Sequence, residues 1–224
     1  IRGMNTLRFT LVADGPTDAA LLHPLRWLLI ECGVRLPLEP QWPDLRALPT
    51  PPKGLEARIQ AALDLSPCEL LFVHRDAERE PREKRVAEIR QAVQRAASDF
   101  FAGKPYVCVV PVRMSEAWFL FEETAIRHAA GNPQGGVKLS LPPPTKAEDI
   151  PDPKQVLRDL VLTASELPTR RRKRLHLTQA FHRLAELIHD YSPLRQLPAF
   201  SALENDVCRI VETAGWNERA GPER

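Results

Sequence analysis

No run of this 224-residue chain is long and apolar enough to span a bilayer, and no signal-peptide pattern opens it. The expectation is a soluble, cytoplasmic protein with no membrane partner; Ile1, Arg2 and Gly3, which precede Met4, are left out of the fold reasoning. Cysteine is sparse. Cys32, Cys68, Cys108 and Cys208 lack the paired spacing of zinc ligands, which excludes the common structural zinc modules. Cys68 and Cys108 lie in or beside apolar runs and Cys32 ends a helical stretch, so all four are expected to be plain buried thiols in a reducing compartment. Neither sign of charge dominates: 31 Lys and Arg against 29 Asp and Glu leave +2, too mild to imply nucleic acid by itself. A Walker A sequence is missing, so any ATP dependence has to come from another chain. No Ser-His-Asp or Cys-His arrangement stands out, His182 and His189 read as surface or packing residues, and there is no internal repeat.

Apolar residues make up 43% of the chain, enough for a sizeable core and too many for wholesale disorder. Proline is abundant, 22 of 224, about twice the usual share of roughly 5%, and gathers in loops near 49–52 and 142–144. Continuous apolar runs at 7–13, 69–75 and 106–112 predict buried strands, and 34–42 predicts a short strand that Pro37 and Pro40 confine to an edge. Between them, stripes at helical spacing (Leu21, Leu25, Leu28 and Leu29; Leu55, Ile59 and Leu63; Val86, Ile89, Val93, Ala97 and Phe100) predict helices over 16–32, 55–63 and 81–101, with another beginning near Ser115. Strands alternating with helices predict an α/β fold with a mostly parallel sheet, over residues 4–125. Residues 126–152 are rich in Gly and Pro and read as a loop or insertion; 131–136 has no strand before it and no helix after it, and is expected to be a flexible loop rather than a phosphate loop. Helical stretches at 153–162, 176–190 and 199–214 predict a helical extension, 153–216, packed on the core.

Each of the three principal strands runs into a turn that carries acids: Asp14-Gly-Pro-Thr-Asp18, Asp76-Ala-Glu78 and Ser115-Glu116-Ala-Trp118. Parallel neighbours with right-handed crossovers would bring these turns to one edge of the sheet, where open α/β sheets bind ligands. Carboxylates meeting there repel one another unless a cation is shared, which points to a hard divalent ion, Mg²⁺ or Mn²⁺. Asp76 and Glu78 are the expected principal ligands, Asp14 a ligand or general base, Asp18 an orienting acid and Glu116 a further ligand. Plainer readings stand beside these. Thr17 can cap a helix with Asp18 favouring its dipole, Asp76-Ala-Glu78 can be a solvated loop among other charges, and Glu116 can be an acid of a first helical turn. His74 reads as a packing residue or as a support to the ligands rather than a ligand itself, and Trp118 and Phe119 read as core residues. Five successive cations, Arg170, Arg171, Arg172, Lys173 and Arg174, can neutralise a phosphate backbone or form an exposed linker; Arg113 and Lys154 are further candidate phosphate contacts.

Asp14-Gly-x-Thr-Asp18 followed by Asp76-x-Glu78 resembles the Toprim domain of topoisomerases, primases and OLD-type nucleases, in which an acid-glycine turn and a later pair of acids bind magnesium. The longer order of motifs is similar to a family of small stand-alone Toprim-like domains. Glu116-Ala-Trp118 matches its strand-end acid, Asp152-Pro-Lys154 its helix opening, and Pro198-Ala-Phe200 its later Pro-x-Phe, so the likeness runs from about residue 7 to about 212. The chain departs from the Toprim pattern by having Asp14 where Glu is usual, one methylene shorter, and Glu78 where Asp is usual, one methylene longer. The resemblance implies a Mg²⁺-dependent nuclease acting on nucleic acid, DNA ahead of RNA, in defence against phage or mobile DNA, with an ABC- or AAA-type ATPase partner. Two other functions stay open: a catalytically inactive adaptor or binding subunit, which the shortened Asp14 favours, and a phosphatase-like α/β enzyme with Asp14 or Asp76 as nucleophile, against which the missing Asp-x-Asp-x-Thr counts.

Overall fold

Strand β1, Leu7–Val12, turns Leu7, Phe9 and Leu11 to one face of the sheet and Val12 to the other, and both faces are covered. The computed structural model of the chain describes residues 5–96, 103–172 and 175–217. After β1 come a 3-10 turn, Thr17–Leu21, and helix α1, Leu22–Glu31; then β2, Leu38–Gln41, α2, Leu55–Leu65, β3, Leu70–His74, α3, Arg82–Ala96, and β4, Tyr106–Val109. The four strands form one all-parallel sheet in the order β2-β1-β3-β4, the α/β architecture expected. β2 lies at the edge, where Pro40, which has no N–H to give, pairs in register with Phe9. The expected helix over 81–101 is described as far as Ala96; Ala97 and Phe100, assigned to its inner stripe, lie outside the described residues.

The two faces carry separate apolar clusters. Leu71, Val73 and Cys108 pack with Ile59 and Leu63 of α2 and with Ile89 and Val93 of α3, whereas Phe9, Leu70 and Phe72 pack with Leu25, Leu28 and Leu29 of α1. The chain thus covers one face on its way to β2 and the other on its way to β3 and β4. The strand order reverses between β1 and β3, the place where open α/β sheets bind ligands at the carboxyl ends of their strands.

After β4, Ser115–Phe119 is a 3-10 turn rather than the opening of a long helix, and α4, Glu123–Ala129, follows it. The stretch 131–152 contains one 3-10 turn, Pro144–Asp149, and leads to α5, Pro153–Ala164, α6, Thr169–Arg172, α7, Leu177–Leu187, and α8, Pro198–Thr213. Asp152 caps α5 by accepting the Gln155 N–H at 2.9 Å, with Pro153 at the first helical position, where its missing N–H costs nothing. Phe200, Leu203, Val207 and Val211 of α8 and Phe181 and Leu184 of α7 join the α1-side cluster. Trp118 meets Phe200 edge-on at 5.2 Å, and Phe119 meets Phe181 at 4.9 Å. The late helices therefore share the core of the sheet. Residues 131–136, expected to be a flexible loop, are tied to the end of α5. Asn132 donates to Ala164 O at 3.0 Å, Glu166 accepts the Val137 N–H at 2.9 Å, and a Cβ on Gly135 would lie 2.6 Å from Asn132 Nδ2.

The reading of four plain thiols is corrected. Cys32 and Cys208, 176 residues apart, are joined in a disulfide because α1 ends against α8; Cys68 and Cys108 are free and buried. Among the described residues no helix is long and apolar enough to cross a membrane.

Candidate acidic site at the strand ends

β1, β3 and β4 are neighbours, so the turns that leave them emerge side by side. The pairing of β3 with β4 continues past both strands: Arg75 N–H donates to Val109 O (3.1 Å), Ala77 N–H to Pro111 O (3.0 Å) and Glu78 N–H to Arg113 O (2.9 Å). Holding that path puts Glu78 at φ +54° and Arg113 at φ +65°, left-handed conformations that cost a non-glycine residue roughly 1–3 kcal/mol each. The reward is position: the Asp76 carboxylate is delivered to the Ser115 N–H, which donates to its Oδ1 at 2.9 Å.

Ser115 also reaches the first turn, its hydroxyl lying 3.4 Å from Asp18 Oδ1. Asp18 does not serve a cap at Thr17; its Oδ2 accepts the Gly15 N–H at 2.8 Å, folding the turn back on itself and burying the carboxylate. His74, at the end of β3, is 1% exposed; its Nε2 lies 3.4 Å from Asp76 Oδ1 and 3.9 Å from Asp18 Oδ1. Glu116 is 5% exposed, and Lys154 of α5 approaches it to 3.5 Å. Loss of solvent pushes the Asp76 carboxyl up to about 6; His74 opposes the rise, Asp18 and Glu116 add to it, and the Ser115 N–H opposes it.

Asp18, Asp76 and Glu116 are thus brought together from three turns, whereas Asp14 and Glu78 are engaged elsewhere. Asp14, half exposed, is paired with Arg58 of α2 and lies 3.6 Å from Arg75; Arg58 also donates to Ala13 O. Glu78 points outward to Arg85 of α3 at 3.1 Å. Arg170, Arg171 and Arg172 are exposed on α6, and Arg172 donates to Leu167 O; Lys173 and Arg174 lie outside the described residues. Among the described residues, no three His, Cys, Asp or Glu side chains are arranged to hold one metal ion as they stand.

The donors there are carboxylate oxygens, the type a hard cation takes, and Mg²⁺ keeps several waters while using only one or two protein carboxylates. The raised Asp76 carboxyl owes most to burial, with a smaller contribution from Asp18 and Glu116. Next to Glu116 opens a cavity of about 240 Å³, bounded by Thr17, Glu116 and the facing sides of α5 and α7. Sequence reasoning missed Ser115, Arg58 and this cavity. Ser115 acts through its amide, which leaves no mark in a sequence, and Arg58 looked like any exposed cation of an amphipathic helix. His74, expected to pack or to support the ligands, does both: it is buried and faces Asp76 and Asp18.

No family model, no curated protein and no solved structure matches the chain.

Proposed function

We propose that the chain is a Mg²⁺-dependent, Toprim-like enzyme that cleaves phosphodiester bonds in nucleic acid, DNA ahead of RNA. The observation that carries this reading is the convergence of Asp18, Asp76 and Glu116 at the point where the strand order reverses. Asp76 and Glu116 would hold the ion, with Mn²⁺ as a substitute; Asp18, held by Gly15, orients Ser115 and through it Asp76. When bound, a divalent ion supplies charge neutralisation at the transferring phosphate and a more acidic water. His74 faces two of the carboxylates, its Nε2 3.4 Å from Asp76 Oδ1 and 3.9 Å from Asp18 Oδ1. Lys154, which pairs with Glu116 at 3.5 Å, would give up that carboxylate to the ion and turn its cation to a phosphate oxygen. Asp14 and Glu78 contribute indirectly, because arginines occupy their carboxylates. A role in phage or mobile-DNA defence, with an ATPase partner, comes with the Toprim resemblance and rests on it.

The engagement of Asp14 by Arg58 favours one second reading, a non-catalytic adaptor of the same fold. One experiment separates the two. Plasmid, single-stranded DNA and RNA are incubated with the protein in EDTA, Mg²⁺ or Mn²⁺, beside Asp76→Ala. Cleavage that needs the metal and Asp76 is expected. Cleavage that persists in EDTA or in the variant overturns the mechanism, and nucleic-acid binding without cleavage supports the adaptor.

A further inference from the structure

The cavity beside Glu116 combines surfaces that the chemistry of the acidic site leaves unused. Pockets for whole drug-sized ligands enclose roughly 300–1,000 Å³. At about 240 Å³ this one has room for a single ring system and not for an extended ligand. Its walls are apolar: Leu157 and Val161 from α5, Leu177 and Phe181 from α7. Phe181 is 5% exposed and is locked edge-on against Phe119, so an aromatic surface is presented in a fixed orientation. Lys154 and Arg158, four residues apart on one side of α5, stand at the rim, and Thr178 is exposed at the mouth. A wholly apolar ligand would leave Arg158 unused and Lys154 with no partner but Glu116, 3.5 Å away. A lone phosphate would leave the apolar walls unused.

A flat ring attached to a phosphate satisfies both. We propose that this cavity receives one unpaired nucleobase adjacent to the scissile phosphate, so that the substrate is single-stranded DNA or a frayed end rather than intact duplex. The link to the chemistry is direct, because Glu116 belongs to both the cavity and the acidic cluster and Thr17 is the neighbour of Asp18. A base in a duplex is stacked and paired, and reaches such a cavity only after extrusion. The identity of the ligand rests on the nuclease reading of the acidic site, but the test does not depend on cleavage.

Fluorescence anisotropy in EDTA would compare a labelled single-stranded oligodeoxynucleotide with the same sequence as a blunt duplex and with an abasic oligomer of equal length. The single strand is expected to bind about tenfold to a hundredfold more tightly than the abasic oligomer, the range that stacking of one base provides, and more tightly than the duplex. Thr178→Trp fills the mouth from an exposed position and is expected to reduce binding of the single strand to the abasic level; Phe181→Leu is expected to weaken it about tenfold. Equal affinity for the single strand and the abasic oligomer, or unchanged binding by folded Thr178→Trp, overturns the proposal. Base-dependent binding without metal-dependent cleavage leaves the cavity assigned and refutes the nuclease. Metal-dependent cleavage that is equal on duplex and single strand and indifferent to Thr178→Trp does the reverse.

Discussion

His74 presents Nε2 to Asp76 Oδ1 at 3.4 Å while its Nδ1 lies 3.1 Å from the carbonyl oxygen of Val109. A carbonyl only accepts, so Nδ1 donates to Val109 and Nε2 is the nitrogen turned toward the carboxyl.

The Asp76 carboxyl, raised by burial from its ordinary 3.8 to about 6, makes stability depend on pH. Between those values the folded chain holds a proton that the unfolded chain has released, so this group's contribution to stability falls as pH rises and is lost above about 6. The full displacement corresponds to roughly 3 kcal/mol at about 1.4 kcal/mol per pH unit. Asp76→Asn keeps an acceptor for the Ser115 N–H and offers a donor to Nε2. Urea denaturation without metal is expected to show the variant more stable by about 1–3 kcal/mol near pH 7, with the gain gone by about pH 4. A less stable variant at neutral pH would contradict the assignment.

Carboxylates at the site should differ in consequence. Asp76→Ala and Glu116→Ala are expected to lower Mg²⁺-dependent cleavage by more than about a hundredfold, and Asp14→Ala or Glu78→Ala by about tenfold to a hundredfold at most, the scale of groups that do not ligate directly. Single-turnover rates across a Mg²⁺ titration check the ranking. A loss in Asp14→Ala as large as that in Asp76→Ala would return Asp14 to the metal.

The Cys32–Cys208 bond closes most of the chain into one loop. Cys208→Ser, or reduction, is expected to lower unfolding stability by about 2–4 kcal/mol. Burial pushes the Cys68 thiol up and the Cys108 thiol up to about 11, so alkylation of the folded, unreduced protein is expected to label neither. Urea unfolding checks the first outcome, and peptide mapping by mass spectrometry the second.

Gly135→Ala would bring a methyl group to 2.6 Å from Asn132 Nδ2 and 2.7 Å from Glu166 Oε1. A loss of about 1–3 kcal/mol is expected from the forced displacement, measured by thermal or urea unfolding. Gly136→Ala, which meets nothing within 4 Å, serves as the control.

The sheet was legible because strands buried on both faces read as unbroken apolar runs, as in Leu70 to His74, and because Pro37 and Pro40 marked the edge. Asp18, Asp76 and Glu116 were legible as acids at the ends of strands that turned out to be neighbours. Nothing in the sequence separated them from Asp14 and Glu78. That distinction is made by Arg58 and Arg85, which arrive on α2 and α3 once those helices pack on the far face. The disulfide was illegible for the same reason: its partners meet only when the end of α1 docks on α8. The 3-10 turn at Ser115 was mistaken for a helix start because Trp118 and Phe119 suit either, and only the contacts with Phe200 and Phe181 decide.

The edge-on contact of Trp118 with Phe200 joins the turn that bears Glu116 to α8, a helix made after all four strands. During synthesis all four strands leave the ribosome before α8 exists, and Phe9, Phe72 and Trp118 then lack part of their cover. The nascent chain passes through a sticky interval that lasts until Phe200 emerges, and it is in that interval that a chaperone would find its grip. A chain cut short before Pro198 would yield an aggregating fragment whose third acidic turn lacks its Phe200 contact.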